Sequence, residues 1–248
     1  MQPGRDRRGG PGDASPSIAW VTAPHREPTD LRGLVVDWGG VLTADVRVAV
    51  GAWAAAEGVG VDDVRSAFER WLGPAEAERE IANPVHLLER GELESAQFER
   101  FLAEQLSTVD GHTVQPAGLL RRMFAHFTRA PAMSALVWRA RDAGIATGLL
   151  SNSWGNSYPD DVFDGMFDTV VISGEVGMRK PEQRIYLHTC ERLGLRPQEC
   201  VFVDDLPHNV TAAVAAGMVG VHHTSYATTE SELSALFGHD LSAGADVG

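Results

Sequence analysis

The sequence predicts an α/β fold, a Rossmann-like parallel sheet covered by helices on both faces, with an inserted small helical cap domain. Three observations predict it. Short continuous apolar runs recur along the chain, helical patterns or loops separate them, and polar residues follow the ends of several runs. Continuous apolar runs are typical of strands buried on both faces, and strands that alternate with helices form parallel sheets.

Five apolar runs are the predicted strands, at residues 34–36, 148–150, 169–172, 200–203 and 219–221. The first ends at Asp37 and two glycines, which is typical of a buried strand that stops at a turn. Helical patterns cover residues 136–143, 183–193 and 210–216. Because reactive groups gather beyond the carboxyl ends of parallel strands, we expect a functional site at that edge.

The segment between the first and second strands has about 100 residues, which is too long for a loop. Helical spacing follows Asp62 and recurs around Phe98, so we expect a helical cap over residues 45–130. The core then comprises residues 31–44 and 131–238. Residues 1–30, rich in Gly, Pro and Arg, are predicted to be a disordered N-terminal extension, and residues 239–248 a flexible tail.

Composition limits the classes of partner. With 34 acidic and 21 basic residues the formal charge is −13, which disfavours nucleic acid and anionic membrane surfaces. We find no apolar run of transmembrane length and no secretory signal, so the cytoplasm is the expected location. Cys190 and Cys200 lack metal-ligand spacing and are predicted to be buried thiols. The oligomeric state is left open.

Two polar clusters follow the first two strands. Asp37 precedes Gly39 and Gly40, whose small size lets backbone amides approach a phosphate held against an acidic nucleophile. Ser151 and Asn152 follow the second strand, where a hydroxyl and adjacent amides suit a phosphate oxygen. Each cluster alone is also typical of an ordinary turn.

A third cluster contains Lys180, the single lysine among the 21 basic residues of the chain. It lies in a loop after a predicted strand, beside a proline that restricts the backbone. Arginine and lysine are not equivalent, so a lone lysine at this place indicates a function that requires a compact cation. The alternative is a solvated surface lysine.

The fourth cluster, Asp204 and Asp205 followed by Asn209, is rich in the oxygen ligands that hard cations prefer. A helix N-cap is the structural alternative. If Asp37 lies beside this pair, like-charge repulsion raises the pKa of at least one carboxyl. Mg²⁺ and Lys180 would remove that repulsion and would also bind a substrate phosphate.

The segments DWGGVL, LLSNS, GMRKPE and FVDDLPHN resemble, in order, the four motifs of the haloacid dehalogenase (HAD) superfamily. The phrase GEVGMRKPEQRIY is similar to the phosphatase domain of soluble epoxide hydrolases and to bacterial sugar 1-phosphate phosphatases. The resemblance implies an Mg²⁺-dependent phosphatase that hydrolyses a small phosphorylated metabolite through an aspartyl-phosphate. It implies catalysis by Asp37 and Lys180, substrate binding by Gly40, Ser151 and Asn152, and metal binding by Asp37, Gly39, Asp204 and Asp205.

Gly39 departs from the family pattern, because most of these phosphatases have a second aspartate there. In them this residue protonates the leaving group and later activates water, while its backbone carbonyl contacts the metal. General acid catalysis typically supplies 10²- to 10⁴-fold, so we expect activity to be reduced or redirected rather than abolished. A sugar 1-phosphate or an acyl phosphate would need the missing acid least. Asp45 and His208 are candidate substitutes.

Other activities of the superfamily fit less well. A phosphonoacetaldehyde hydrolase needs a second lysine for its Schiff base, and none is present. A metal-free dehalogenase has no use for the Asp204 and Asp205 pair, and a phosphomutase would need the missing acid even more. From a different class, the alternative is a catalytically degenerate module that binds a phosphorylated ligand or partner.

Overall fold

The computed structural model describes residues 30–72, 83–155, 158 and 164–242. The predicted extension before residue 30 and the tail after residue 242 lie outside the described residues. Within them, five strands form one parallel sheet in the order β3-β2-β1-β4-β5, which confirms the predicted fold class. The strands are β1 (Gly33–Val36), β2 (Ala146–Ser151), β3 (Thr169–Ile172), β4 (Cys200–Asp204) and β5 (Val219–His222).

Both faces of the sheet are covered by helices. Leu34 and Val36 of β1 belong to a core that includes α6 (Pro131–Asp142) and α10 (Tyr226–Phe237). Val35, between them, belongs to the core on the other face, with α8 (Gln183–Leu193) and α9 (Pro207–Ala215). This alternation buries successive side chains on opposite faces, which is why the strand sequences are apolar throughout.

Two core helices begin earlier than predicted. α6 begins at Pro131 rather than at residue 136, and α9 begins at Pro207 rather than at residue 210. Proline is suited to the first helical turn because its nitrogen needs no hydrogen bond there and its φ angle is already helical. The periodic apolar pattern therefore missed the first turn of each helix, including Met133 of α6, which is buried in the core. The short α7 (Ser173–Val176) was not predicted.

The insert between β1 and α6 contains five helices among the described residues, with its own apolar core. Trp53 and Phe98 are fully buried in this core. The helices are α1 (Val46–Glu57), α2 (Val61–Leu72), α3 (Pro84–Glu89), α4 (Ser95–Glu104) and α5 (Leu119–Phe124). The two predicted helical patterns lie in α2 and α4.

The chain leaves and re-enters the sheet domain through two paired segments. The Ala44 amide donates to the Thr128 carbonyl at 2.8 Å, and the Ala130 amide donates to the Leu42 carbonyl at 2.9 Å. The division into a core and a cap stays a prediction, and this pairing is its natural boundary. At the other end, Leu241, assigned from sequence to a flexible tail, is 1% exposed, and Arg139 Nε donates to its carbonyl at 2.6 Å.

Cys190 and Cys200 are both buried and free, as predicted. They lie in α8 and β4 and pack in the same apolar core. Among the described residues, no helix combines the length and apolar character that crossing a membrane requires.

Candidate active site

The predicted site residues follow three adjacent strands, β2, β1 and β4. Asp37 comes directly after β1, Ser151 ends β2 and Asp204 ends β4. The Asp37 amide donates to the Val203 carbonyl at 3.0 Å, which fixes Asp37 beside the end of β4. The strand order therefore brings together residues that are far apart in sequence.

Lys180 lies between two of these carboxylates. Its side chain is 1% exposed, and Nζ is 2.7 Å from Asp37 Oδ1 and 2.7 Å from Asp204 Oδ2. Burial disfavours the charged ammonium, but the Asp204 and Asp37 carboxylates outweigh it, so the pKa of Lys180 lies above its usual value. Lys180 is therefore charged and contacts both carboxylates, and the catalytic role that the resemblance implies for it stays a prediction.

Asn152 holds the loop that carries Lys180. Its side-chain Nδ2 donates to the Lys180 carbonyl at 3.0 Å, and its Oδ1 accepts from the Lys180 amide at 2.8 Å. Both polar ends of the carboxamide are thus used by the backbone of Lys180. Asn152 positions the lysine, and its predicted contact with substrate stays a prediction.

The Asp204 carboxylate is fully buried and accepts several hydrogen bonds. Oδ1 accepts from the Leu206 amide at 2.8 Å, and Asn209 Nδ2 lies 3.1 Å from each carboxylate oxygen. With Lys180 on Oδ2, the orientation of Asp204 is fully determined. The metal binding that the resemblance implies for Asp204 stays a prediction.

Three carboxylates share this end of the sheet. Asp37, Asp204 and Asp205 each offer an oxygen atom, and these atoms lie within 4.8 Å of one another. Burial raises the pKa of Asp37 to about 7 despite the opposing effect of Lys180. Burial, followed by the Asp204 charge, raises the pKa of Asp205 to about 6. One ammonium does not compensate three carboxylates, so the cluster suits an additional hard cation.

The two glycines after Asp37 differ in whether the surrounding atoms leave room for a side chain. Gly40 has a φ of +73°, and a Cβ atom there would overlap the Asp205 carboxylate. A Cβ atom on Gly39 would lie 3.6 Å from Val46 Cγ2, an ordinary contact. Close packing therefore requires glycine at Gly40, while Gly39 has room for a side chain.

Ser151 Oγ lies 2.7 Å from the Tyr158 hydroxyl, a contact that sequence reasoning missed. The Tyr158 ring meets Trp38 edge to face, with 5.7 Å between ring centroids. Tyr158 belongs to no periodic apolar pattern and to no motif of the resemblance. No sequence signal therefore identified Tyr158 as a neighbour of Ser151.

The two candidate substitutes for the missing acid have different environments. Asp45 is the N-cap of α1, and Arg47 donates to its carboxylate from both the amide and the guanidinium. Hydrogen bonding to Arg47 lowers the pKa of Asp45, so this carboxyl is a poor proton donor. His208 lines the same cavity as Asp37, and burial lowers its pKa.

Ion pairs join the cap to the Lys180 loop. Glu89 of α3 is buried and accepts from Trp154 Nε1 at 3.0 Å and from Arg179 Nε at 2.5 Å. Arg90, the next residue, lies 3.3 Å from Glu182. Sequence reasoning missed this network because its members are isolated charges in separate segments.

A family model described as haloacid dehalogenase-like hydrolase matches residues 31–217. The chain belongs to this family. The resemblance predicted from the four motifs is thus confirmed, and the protein is a hydrolase of the HAD class. The motif residues lie at the strand ends where a parallel sheet gathers reactive groups.

Two curated relatives and one solved structure illustrate the similarity. The chain is 31% identical over 158 residues to the sesquiterpene phosphatase astK of Aspergillus oryzae, a match of 60% of this chain and 77% of the relative. It is 32% identical over 104 residues to a glyceraldehyde 3-phosphate phosphatase of Methanopyrus kandleri, covering 40% of this chain and 44% of the relative. This chain therefore spans less than half of that archaeal protein.

The solved structure is a HAD family enzyme from Bacteroides thetaiotaomicron in complex with magnesium and inorganic phosphate. It has a TM-score of 0.57 and 20% sequence identity, and the match covers 77% of this chain and 93% of that chain. At this identity the likeness concerns the fold alone.

Proposed function

We propose that the protein is an Mg²⁺-dependent phosphoric monoester hydrolase that acts on a small phosphorylated metabolite through an aspartyl-phosphate on Asp37. The observation that carries the proposal is the position of Lys180 Nζ, 2.7 Å from both Asp37 and Asp204. A buried ammonium at this place holds the nucleophile and offers positive charge to a phosphoryl group. The two relatives named as phosphatases support phosphate ester hydrolysis.

Asp37 presents one defined oxygen for attack. Its Oδ1 accepts from the Trp38 amide at 2.7 Å and contacts Lys180 at the same distance. Because both contacts are made by Oδ1, we assign Oδ2 as the oxygen that attacks phosphorus. The bond from phosphorus to the ester oxygen breaks, and the departing alkoxide takes a proton from water. A further water molecule then hydrolyses the acyl phosphate, which releases inorganic phosphate and restores the Asp37 carboxylate. Ser151 is assigned to bind a phosphoryl oxygen.

Asp37, Asp205, Asp204 and the Gly39 carbonyl are the groups that would hold Mg²⁺. Their atoms are hard oxygen donors, and the carboxylate oxygens lie close enough to share one ion. When bound, Mg²⁺ supplies positive charge that neutralises the oxygens of the transferring phosphoryl group. Gly40 keeps the chain close to Asp205, because a side chain there would displace this carboxylate.

Turnover of an activated aryl phosphate tests the proposal. We expect hydrolysis that requires added Mg²⁺, stops with a chelator, and falls by about 10³-fold or more in Asp37→Asn, because this change removes the nucleophile. Full turnover by Asp37→Asn, purified free of other phosphatases, would contradict the assignment. A folded parent protein that hydrolyses no phosphate would favour the degenerate binding module instead.

That second candidate rests on a specific observation. Gly39 provides no acid, and the carboxyl of the candidate substitute Asp45 is paired with Arg47. A module of this kind would bind a phosphate group together with Mg²⁺ and would not hydrolyse phosphate esters. The cytoplasm remains the predicted location under either candidate. The names of the two relatives include both a terpene and a triose phosphate, so they do not decide the organic group of the substrate.

A further inference from the structure

The cavity above Asp37 and Lys180 is much larger than a phosphate group. Its volume is about 860 Å³, within the range of sites that enclose a whole organic ligand. The sheet forms one end of it and the cap forms the opposite wall. The following six residues of the cap line it with apolar side chains: Val50, Phe68, Trp71, Met123, Phe124 and Phe127.

The aromatic rings of this wall support one another. Phe68 lies 5.4 Å from Trp154 between ring centroids, and Phe124 lies 5.3 Å from Phe127. Trp154 also contacts Phe98, which is fully buried in the core of the cap. Rings packed in this way have few alternative positions, so the wall is a preformed apolar surface.

Polar groups near this wall are mostly engaged with protein partners. Glu89 accepts from Trp154 and Arg179, as described above. Among the described cap residues that line the cavity, His86 has a buried ring atom, Nδ1, without a hydrogen-bond partner. Burial, with the Arg179 and Arg90 charges, lowers the pKa of His86 to about 4, so the ring is neutral near pH 7.

The apolar lining of the cap wall favours an apolar substrate over a polar one. A sugar phosphate would place several hydroxyls against the cap, and a buried hydroxyl without a hydrogen bond is unfavourable. A hydrocarbon chain would instead remove apolar wall and apolar ligand from water together. Among the described residues of the cap that line the cavity, His86 Nδ1 is the one buried polar atom without a hydrogen-bond partner, and one such atom does not satisfy a polyol.

We propose that the substrate is a phosphate monoester of a hydrocarbon alcohol, with at most one further hydrogen-bonding group, whose chain lies against the cap wall. The orientation of this substrate, with its phosphate at Asp37, rests on the proposed function. The affinity of the apolar part for the cavity does not depend on turnover.

Calorimetric titration with n-butyl-, n-hexyl- and n-octylphosphonate in the presence of Mg²⁺ measures that affinity directly. These probes have no ester bond to hydrolyse, and they differ only in methylene groups. We expect Kd to fall about two- to fourfold for each added methylene, and the heat capacity change of binding to become more negative. An unchanged Kd along the series, or tighter binding of glyceraldehyde 3-phosphate than of octylphosphonate, would overturn the proposal.

Two phenylalanines of the cap provide a matched comparison. Phe68 lines the cavity, whereas Phe101, on α4, is 46% exposed and lies outside its lining. We expect Phe68→Ala to reduce the ratio of octyl to butyl affinity about tenfold and Phe101→Ala to leave it unchanged. If the melting temperature of Phe68→Ala is too low for the variant to stay folded during the titration, Phe124→Ala is used in its place. Equal ratios in the parent, in both cavity variants and in Phe101→Ala would overturn the assignment of the wall.

Aryl phosphate turnover separates this inference from the proposed function. Turnover with no dependence of Kd on chain length would overturn the hydrocarbon substrate and leave the phosphatase proposal standing. A steep dependence on chain length without turnover would support the apolar ligand and contradict the phosphatase proposal.

Discussion

At the sheet end of the cavity, charged groups are held by charged partners, whereas at the cap end aromatic rings pack against other rings. Lys180 joins Asp37 and Asp204 at fixed short distances, while Phe68 and Trp154 meet through apolar surface. A small displacement at the sheet end changes strong, directional interactions, and the same displacement at the cap end changes mainly contact area. We infer that the sheet end determines the reaction and that the cap end determines which ester is bound.

The largest effect is expected from Lys180→Arg. A planar guanidinium cannot replace a compact ammonium that is fully enclosed between two carboxylates, so we expect kcat/KM for an aryl phosphate to fall about 10³-fold. Arg192→Lys, the reverse exchange at an exposed position of α8, is the control and should retain parental activity. If Lys180→Arg matched the parent in steady-state assays, the sheet end would not depend on the geometry described.

A smaller loss is expected from Gly40→Ala, with Gly39→Ala as its matched control. The added methyl group at Gly40 would overlap the Asp205 carboxylate, whereas at Gly39 it would lie 3.6 Å from Val46. We expect Gly40→Ala to lower kcat/KM about 10²-fold and to raise the Mg²⁺ concentration needed for half-maximal activity, with little change for Gly39→Ala. Equal behaviour of the two variants would contradict the close approach of Gly40 and Asp205.

The smallest effect is a selective gain in Gly39→Asp. If the protein lacks a general acid, an added carboxyl should help substrates with poor leaving groups more than activated ones. We expect the ratio of alkyl to aryl phosphate turnover to rise about tenfold in Gly39→Asp and to stay at the parental value in Gly39→Asn, which has the same shape and no acid. A folded Gly39→Asp protein with an unchanged ratio would show that another group, such as His208, donates the proton.

Most of the sheet end was predictable from sequence because its aspartates and Ser151 lie at or just after the ends of apolar runs. Asp37, Ser151 and Asp204 are adjacent to strands whose continuous hydrophobicity predicts a buried parallel sheet. Lys180 was recognisable because lysine is otherwise absent from the chain. The anchoring of Lys180 by Asn152 was not predictable, since it depends on how two loops meet in space.

The cap wall was much less predictable. Periodicity identified apolar faces on α2 and α4, but Phe68 and Phe98 carry the same signal although only Phe68 lines the cavity. A helical pattern shows that a face is buried and does not show whether protein or ligand covers it. Tyr158 and the pair of Glu89 and Arg179 depend on contacts between distant segments, which one sequence does not reveal.

The most direct test of Asp37 as the nucleophile is to trap the phosphorylated protein. Turnover of an aryl phosphate is stopped rapidly with acid, and the peptide that contains Asp37 is analysed by mass spectrometry. We expect a base-labile phosphoryl group on Asp37 in the parent at early quench times, and no such group in Asp37→Asn. Burst kinetics of phenol release should accompany it if hydrolysis of the acyl phosphate is the slower step. Steady turnover by the parent with the phosphoryl group on another residue, or with the same turnover persisting in Asp37→Asn, would contradict Asp37 as the nucleophile.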